Sequence, residues 1–416
     1  MDEDGRSVDE VLAAIDERRR PEPDVNAGRL FGLVYPSGDD ELEGLARAVS
    51  ERYLFGNALN PFRFPSLADM EHEVVTSVGE LVHLAPGGGG SMTSGGTESI
   101  LMSMLVNRER ARLRGVERPT IIAPYSAHPA YAKAAHFLGM GIVTVPLDAD
   151  YRADVAAARA LVDDDTAVII ASAFNYPYGI VDPIEELAEL ASERGVSCHV
   201  DGCIGGFVLP FLEDLGRPVP PWDFRVEGVT EISTDIHKYG YTPKGASVIL
   251  HRDADWRDLQ WFLYADWPSG IYGSPAVAGA RPAAPIAIAW AAMQHLGRSG
   301  YRAIAATLLE ATDTLRAGID AIDGLAFVGD PVGPVMAIEA VDPALDIFAI
   351  GDDVDSHGWF TNRNTSPLSL HLMLSPAHAA LADELVADIA AAVERNRAAG
   401  GPDRGTDGGE HQVRYS

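Results

Sequence analysis

The chain has 416 residues, a formal net charge of −29, 47% hydrophobic residues and two cysteines. The charge disfavours nucleic acid and anionic membrane surfaces as partners, and the longest apolar run, residues 283–293, is too short to span a bilayer. Because Cys198 and Cys203 could not staple a fold of this size and the acidic start lacks the order of a signal peptide, we expect reduced thiols and a cytoplasmic location.

Lysine is scarce: of 32 basic residues, only Lys133, Lys238 and Lys244 are lysines. Acidic excess with few lysines is typical of salt adaptation, which gives the hypothesis of a halophilic host. A GC-rich genome, which favours Arg, Ala, Gly and Asp codons, is the alternative.

The first predicted elements are helical. A short helix is expected before the break at residues 18–23, and apolar residues recur at helical spacing over residues 41–54. A second helix is predicted over residues 67–84. We interpret residues 1–45 as an N-terminal segment and residues 46–299 as the large domain.

The middle of the chain alternates short β-branched runs with helical patterns. Strands are predicted at 120–124, 142–146, 167–172, 197–201, 229–233 and 246–251. Helices are predicted at 97–114, 129–138, 154–162 and 183–194. Strands separated by helices indicate an α/β fold with a mostly parallel sheet, in which ligands lie at the carboxyl ends of the strands.

The pattern changes near residue 300. A long helix over 301–322, strand-like runs at 326–328, 334–340, 358–360 and 369–374, and a helix over 376–397 predict a small α+β domain spanning residues 300–398. The Gly- and Asp-rich tail from residue 399 to 416 is expected to be disordered.

Two of the three lysines fall in one short segment, residues 233–245. A lysine amine can lose its proton and attack a carbonyl, whereas an arginine guanidinium stays charged. A salt-bridging surface lysine is the plainer interpretation of Lys238, but arginine fills that role elsewhere in this chain. Lys238 is therefore the candidate Schiff-base residue.

Four other features accompany Lys238 in the chain. The glycine-rich turn before Thr97 could hold a phosphate at a helix start, although such turns are common. Asp201 could cap a turn, or pair with a protonated ring nitrogen. His128 could be a surface histidine, or stack on a ring; His237 could orient its neighbours, or contact phosphate. Together they form the constellation of an enzyme that uses pyridoxal 5′-phosphate (PLP), and we expect no metal.

Several longer stretches resemble the group II PLP-dependent decarboxylase superfamily, and within it the sphingosine-1-phosphate lyases. The matching stretches are residues 32–35, 57–61, 93–102, 126–128, 133–135, 179–183, 199–207, 233–245, 270–275 and 278–282. The resemblance implies the type I PLP-dependent transferase fold, with a seven-stranded, mostly parallel sheet and a small C-terminal α+β domain. It also implies a homodimer with active sites at the interface and a small-molecule amine as substrate.

The resemblance implies roles residue by residue. Lys238 would hold the cofactor as a Schiff base, Asp201 would pair with its ring nitrogen, and His128 would stack on its ring. The remaining cofactor contacts would be Gly96, Thr97 and His237 at the phosphate, with Gly279 and with Asn57 from the facing subunit. The substrate side would be formed by Tyr35, Asn60, Tyr176 and Lys244, with Tyr176 also a catalytic candidate.

Two positions depart from the lyase pattern. Asn60 stands where the pattern has histidine, so a charge-assisted contact to a substrate phosphate is lost. Ala280 stands where the pattern has serine, which removes a hydroxyl donor worth about 1 kcal/mol. A preference for a phosphorylated substrate is therefore left open.

The favoured function is a PLP-dependent carbon–carbon lyase that cleaves an amino-alcohol or amino-acid substrate through a Schiff base with the substrate amine. An L-amino-acid decarboxylase for acidic or aromatic amino acids is the alternative, because the motifs define the cofactor and leave the cleaved bond open. A PLP-binding protein without activity is a further alternative, against which Lys238, His128 and Asp201 weigh.

Overall fold

A seven-stranded sheet forms the centre of the computed structural model, which describes residues 3–400. The strands are β1 (Gly89–Thr93), β2 (Thr120–Pro124), β3 (Gly141–Val145), β4 (Thr166–Ser172), β5 (Ser197–Asp201), β6 (Glu231–Asp235) and β7 (Ser247–His251). Their order is β1-β7-β6-β5-β4-β2-β3, and β7 runs antiparallel to both of its neighbours. The other pairs are parallel, as the alternation of strands and helices predicts.

Helices cover this sheet and precede it in the chain. They are α1 (Val8–Arg19), α2 (Asp40–Tyr53), α3 (Pro65–Leu81), α4 (Gly96–Leu113), α5 (Ala130–Leu138), α6 (Val155–Leu161), α7 (Ile184–Arg194), α8 (Leu209–Asp214) and α9 (Ala254–Asp258). Every residue of β4, β5, β6 and β7 is buried, as expected for strands with both faces covered. None of the described helices is long and apolar enough to cross a membrane.

The register of the parallel strands brings their carboxyl ends level. Ser172 pairs with Asp201, and Asp201 pairs with Ser233 two residues before β6 ends. The loops that follow β4, β5 and β6 therefore leave the sheet side by side. This edge is where an open α/β sheet binds its ligands.

A second layer follows the central sheet in the chain. It contains a short hairpin, a long helix and a four-stranded antiparallel sheet of order β10-β11-β13-β12. The elements are β8 (Phe262–Tyr264), β9 (Tyr272–Ser274), α10 (Ala283–Asp320), β10 (Leu325–Phe327), β11 (Val335–Ala340), α11 (Ile347–Ser356), β12 (Asn362–Thr365), β13 (Leu368–Met373) and α12 (Ala382–Ala398). Helix α10 is kinked at Gly297, where φ is 53°.

No strand is predicted at β1, where a Cβ atom at Gly90 would lie 2.5 Å from the Ile249 carbonyl oxygen. Three other predictions of secondary structure need correction. Strand β6 lies two residues later than expected, and α10 begins at Ala283 rather than 301. Around Phe360 there is only a single bridge to Leu30.

The domain boundary at residue 300 falls inside α10 and stays a prediction. The expected disorder of the tail concerns residues 401–416, which lie outside the described residues.

Candidate active site

Lys238 lies in the turn after β6, and its amine is paired with a carboxylate. The Nζ atom is 2.9 Å from Oδ2 of Asp235, the last residue of β6, which is 2% exposed. Burial acts to lower the pKa of Lys238, but the Asp235 carboxylate outweighs it, so the pKa of Lys238 is raised. Burial would likewise raise the pKa of Asp235, but Lys238 and His237 outweigh it, and the pKa of Asp235 is lowered. The amine is therefore held charged and in place.

A row of buried hydroxyls holds Asp235 from behind. The Ser247 hydroxyl donates to Oδ1 of Asp235 at 2.6 Å and lies 2.9 Å from the hydroxyl of Ser99. Ser99 in turn lies 2.6 Å from the hydroxyl of Thr93 at the end of β1. These hydroxyls connect the end of β1, just before α4, to Asp235, the carboxylate that pairs with Lys238. The start of α4 and the Lys238 amine are therefore held by one hydrogen-bonded row.

The start of α4 faces the same space as Lys238. No side chain caps this helix at Gly95, so its first amides point outward with the positive end of the helix dipole. A Cβ atom at Gly96 would lie 2.8 Å from the Cys203 sulfur and 2.9 Å from Oδ2 of Asp235. Only glycine lets the helix start approach this closely, which supports Gly96 and Thr97 as a phosphate cradle.

His237 stands beside this cradle with a defined ring orientation. The backbone amide of Ala246 donates to its Nδ1 at 3.3 Å, so the proton of the neutral ring is on Nε2. The Nε2 atom lies 3.7 Å from Asp235, and burial lowers the pKa of His237 to about 4. At neutral pH the ring is therefore an uncharged donor.

Asp201 and His128 define the opposite side of the space. Asp201 ends β5, is 8% exposed, and accepts a hydrogen bond from the Cys203 amide at 3.1 Å. The Nδ1 atom of His128 accepts from the Ala130 amide at 3.1 Å at the start of α5. Burial lowers the pKa of His128, against the opposing charge of Asp201. A neutral imidazole face and a carboxylate therefore meet in one cavity.

That inner cavity has a volume of about 430 Å³. It is lined by the cradle, both carboxylates, His128, His237, Lys238, Lys244 and Tyr176. A lysine amine for an aldehyde, helix amides for a phosphate, a flat imidazole for a ring and a carboxylate for a ring nitrogen are the groups that PLP requires. The residues therefore fit this cofactor.

An outer cavity of about 670 Å³ adjoins the inner one and shares Lys238, Lys244 and Tyr176 with it. Tyr35 lines it from the segment between α1 and α2. In this segment the Gly32 amide donates to the Met373 carbonyl of β13 at 3.2 Å. Burial raises the pKa of Tyr35 to about 12. The outer cavity thus contains the residues predicted for the substrate side, apart from one.

Tyr176 and Lys244 are each held by neighbouring groups. The Tyr176 ring stacks on His371 of β13 with centroids 4.5 Å apart. The Lys244 amine donates to the His237 carbonyl at 3.2 Å and lies 4.5 Å from the centre of the Tyr35 ring. Burial and then the charge of Lys238 lower the pKa of Lys244 to about 8.

Three predicted residues lie apart from both cavities of their own chain. The Asn57 side chain accepts from the Leu59 amide at 2.9 Å, and that of Asn60 accepts from the amides of residues 62 and 63. Gly279 lines a different cavity, of about 690 Å³, beside α3. Their roles stay predictions.

The structure also adds residues that the sequence reasoning missed. Asp235, Cys203 and Phe174 line the inner cavity, and the buried Tyr131 packs on His199, two residues before Asp201 in β5. Asp235 ends a strand three residues before Lys238, which is the same signal that identified Asp201. Nothing in the local pattern distinguishes Tyr131 from an ordinary core tyrosine.

The fold and the cavity together define a PLP-dependent enzyme of fold type I. The sequence profile described as "Pyridoxal-dependent decarboxylase conserved domain" matches residues 56–331. The chain belongs to this family, it uses PLP, and it is a PLP-dependent lyase.

Individual relatives include both a sphingosine-1-phosphate lyase and a probable amino-acid decarboxylase. The sphingosine-1-phosphate lyase of Arabidopsis thaliana is 40% identical over 94% of this chain and 73% of its own length. A Methanothermobacter thermautotrophicus protein, described as a probable L-tyrosine/L-aspartate decarboxylase, is 34% identical over 84% of this chain and 93% of its own length.

Solved structures support the same fold. A Burkholderia pseudomallei sphingosine-1-phosphate lyase superposes with a TM-score of 0.92 and 38% identity, covering 96% of this chain and 93% of that one. A Lactobacillus brevis glutamate decarboxylase superposes with a TM-score of 0.81 over 95% of this chain and 94% of that one, at 20% identity, which shows the fold alone.

Proposed function

We propose that the chain cleaves a carbon–carbon bond of a phosphorylated long-chain amino alcohol, giving a long-chain aldehyde and a small phosphorylated amine. The outer cavity carries the proposal. Its volume of about 670 Å³ exceeds the needs of one amino-acid side chain, and Lys244 lies in its wall. Its rim includes Leu33 and Tyr125, which are 52% and 59% exposed. The similarity to sphingosine-1-phosphate lyases over most of the chain supports this choice.

The chain's own residues supply attachment, orientation and proton transfer. PLP, when bound, supplies the electron sink for cleavage. Lys238 would hold it covalently, and Asp201 would face its ring nitrogen. Lys238 and Tyr176 both line the two cavities, so we propose that one of them returns a proton to the substrate carbon.

The product assay separates the two reactions. The PLP-loaded protein is incubated with a phosphorylated long-chain amino alcohol, with its unphosphorylated form, and with the common L-amino acids. We expect aldehyde from the phosphorylated compound and less from the unphosphorylated one. Carbon dioxide from an amino acid without aldehyde from either amino alcohol would overturn the proposal.

An L-amino-acid decarboxylase is the second candidate. It is favoured by the Methanothermobacter relative and by Asn60, which carries no charge for a phosphate. The acidic surface also disfavours a polyanionic substrate. A decarboxylase would release carbon dioxide in the assay above.

Lys244 gives a pH dependence that tests the anionic head group. With its pKa lowered to about 8, its charge is lost as pH rises through 8, whereas Tyr35 and His237 titrate far from this window. We expect KM for the phosphorylated substrate to rise about 10-fold between pH 7 and 9, the size of a charge-assisted hydrogen bond. Steady-state kinetics at each pH measure it.

The matched variant is Lys244→Arg, because arginine stays charged throughout this range. Its KM should vary little with pH. An equal rise in KM for wild type and variant would assign the titration to another group.

We also propose a homodimer in which Asn57 and Asn60 complete the partner's site. The support is a set of exposed large apolar side chains, Leu54, Phe55, Phe62, Ile271 and Val277, which we propose form one apolar face. Phe55 and Phe62 are 93% and 92% exposed, which is unusual for large apolar side chains on a monomer. The face includes chain neighbours of Asn57, Asn60 and Gly279, residues that lie apart from their own cavities.

A charge on the apolar face should separate the subunits. Phe62→Asp places a carboxylate where apolar contact is expected, so we expect a monomer by light scattering and a loss of turnover. Phe137→Asp is the control, because Phe137 is 61% exposed on α5, outside the apolar face. A dimeric, fully active Phe62→Asp variant would contradict the arrangement.

We propose further that the protein is cytoplasmic and salt-adapted. Cys198 and Cys203 are buried free thiols, which supports a reducing compartment. The net charge of −29 supports salt adaptation. Activity measured across a KCl series would reject salt adaptation if it is highest in dilute buffer.

A further inference from the structure

The Tyr131 hydroxyl is a buried polar group without a visible partner. Tyr131 lies on α5 and is 1% exposed. Within residues 3–400, no hydrogen bond of standard geometry reaches its hydroxyl oxygen. A buried hydroxyl without a hydrogen bond is energetically unfavourable, so such a group needs an explanation.

Tyr131 packs on His199 of β5, and Asp201 follows two residues later on the same face of that strand. Burial raises the pKa of Tyr131, and the charges of Asp201 and then Cys203 raise it further. A contact from the phenol to the Asp201 carboxylate contributes as well, although it lacks the alignment of a standard hydrogen bond. The phenol stays neutral and keeps the proton that it can donate.

The ring of Tyr131 is fixed by a buried neighbour. It meets His199 of β5 edge to face, with centroids 5.9 Å apart and an angle of 75°. His199 is held on both ring nitrogens, with Nδ1 at 2.8 Å from the Ser103 hydroxyl and Nε2 at 3.1 Å from the Ser233 hydroxyl. The Tyr131 ring therefore packs against an imidazole whose own orientation is fixed.

Asp201 has room for a second donor. Its Oδ1 atom accepts the Cys203 amide at 3.1 Å, and its side chain lines the inner cavity. A carboxylate that must point at a ring nitrogen needs support from behind, as ligands at metal and cofactor sites do.

We propose that Tyr131 is a positioning residue, which donates a hydrogen bond to Asp201 and holds that carboxylate, ionised, against the cofactor ring nitrogen. A donor to the charged form of a carboxylate favours that form. Tyr131 acts through Asp201 and does not itself contact the cofactor cavity. The inference rests on the cofactor and is independent of which carbon–carbon bond is cleaved.

The test is Tyr131→Phe, which removes the hydroxyl and keeps the ring on His199. We expect PLP affinity to fall about 10-fold, as for loss of a hydrogen bond to a charged group. The pH titration of the bound cofactor's absorption should also shift. The melting temperature of the cofactor-free protein should stay close to that of wild type.

Asp201→Asn and the double variant decide whether the effect passes through Asp201. If it does, Tyr131→Phe should change PLP affinity by less than about 2-fold in the Asp201→Asn background, because coupled residues are not additive. Thr312→Val is the control, because Thr312 is buried on α10 and its hydroxyl donates to the Leu308 carbonyl at 2.7 Å.

Two outcomes would overturn the proposal. One is an unchanged affinity and an unchanged absorption titration in Tyr131→Phe. The other is an equal loss of affinity with and without the Asp201 carboxylate, or in Thr312→Val, because a general loss of buried hydrogen bonding would then account for it. If Asp201→Asn binds too little PLP to measure, the absorption titration of Tyr131→Phe alone decides.

Discussion

Lys238→Ala should lower turnover by at least about 10³-fold, the largest effect expected for any single substitution in this chain. The Nζ atom of Lys238 is the amine placed to hold the cofactor covalently, and it lies 2.9 Å from Asp235 in the inner cavity. Removing it also leaves Asp235 buried without its ion pair. Turnover and the absorption of the covalently held cofactor are measured together.

Lys238→Arg separates the two roles of this lysine. Arginine keeps a charge beside Asp235 but cannot form the covalent link. We expect both variants to lose turnover and the absorption of the linked cofactor. Lys238→Arg should melt closer to wild type than Lys238→Ala, since its Asp235 is not left unpaired. Near-normal turnover in Lys238→Arg would exclude the covalent role.

The sequence predicts the parts of the site that lie at strand ends. Strands β2 and β4 are β-branched runs, and β5 lies between the helix-ending Gly195 and Gly202, so the positions of His128 and Asp201 follow from the alternation of strands and helices. Strand β1 is not predicted, because Gly89–Thr93 contains few apolar residues. Its close packing on β7 depends on glycines that have no side chain.

The scarcity of lysine in this chain identifies Lys238 only in combination with other motifs. Lys133 is one of the same three lysines, yet it is exposed on α5 with its amine 5.7 Å from the centre of the Phe137 ring. What distinguishes Lys238 is its place after a strand end beside Asp201. Its partner Asp235 could have been found by the same argument, had β6 been predicted two residues later.

Other contacts depend on tertiary packing that local pattern does not contain. Tyr131 is predictable as a buried helix residue, but its approach to Asp201 depends on how α5 lies over β5. Asn57 and Asn60 do not line the two cavities of their own chain, because the site proposed for them belongs to a second copy. Sequence pattern therefore predicts the elements better than the contacts between them.

The second large effect concerns a buried carboxylate away from the cavity. Glu231 begins β6 and is fully buried. Its carboxylate accepts from the Ser103 hydroxyl at 2.5 Å and the Asn107 amide at 2.7 Å. His251 and His199 approach it at 3.3 and 3.5 Å. Burial would raise the pKa of Glu231, but its contacts with His199 and His251 outweigh burial, so the pKa of Glu231 is lowered.

Glu231→Leu should therefore lower the free energy of unfolding by about 3 kcal/mol, since it leaves several buried donors without an acceptor. Denaturant unfolding at pH 7 measures the change. Glu193→Leu is the matched control, because Glu193 pairs with Arg159 on the exposed surface, where such pairs contribute about 0–1 kcal/mol.

The same substitution has a defined pH signature. A carboxylate whose pKa is lowered by folding contributes its full stability above its unfolded value, near 4.5, and loses that contribution as pH falls below it. The difference between wild type and Glu231→Leu should therefore shrink as pH falls below 4.5. A difference that stays constant down to pH 3 would show that lost packing, and not the charge of Glu231, causes the destabilisation.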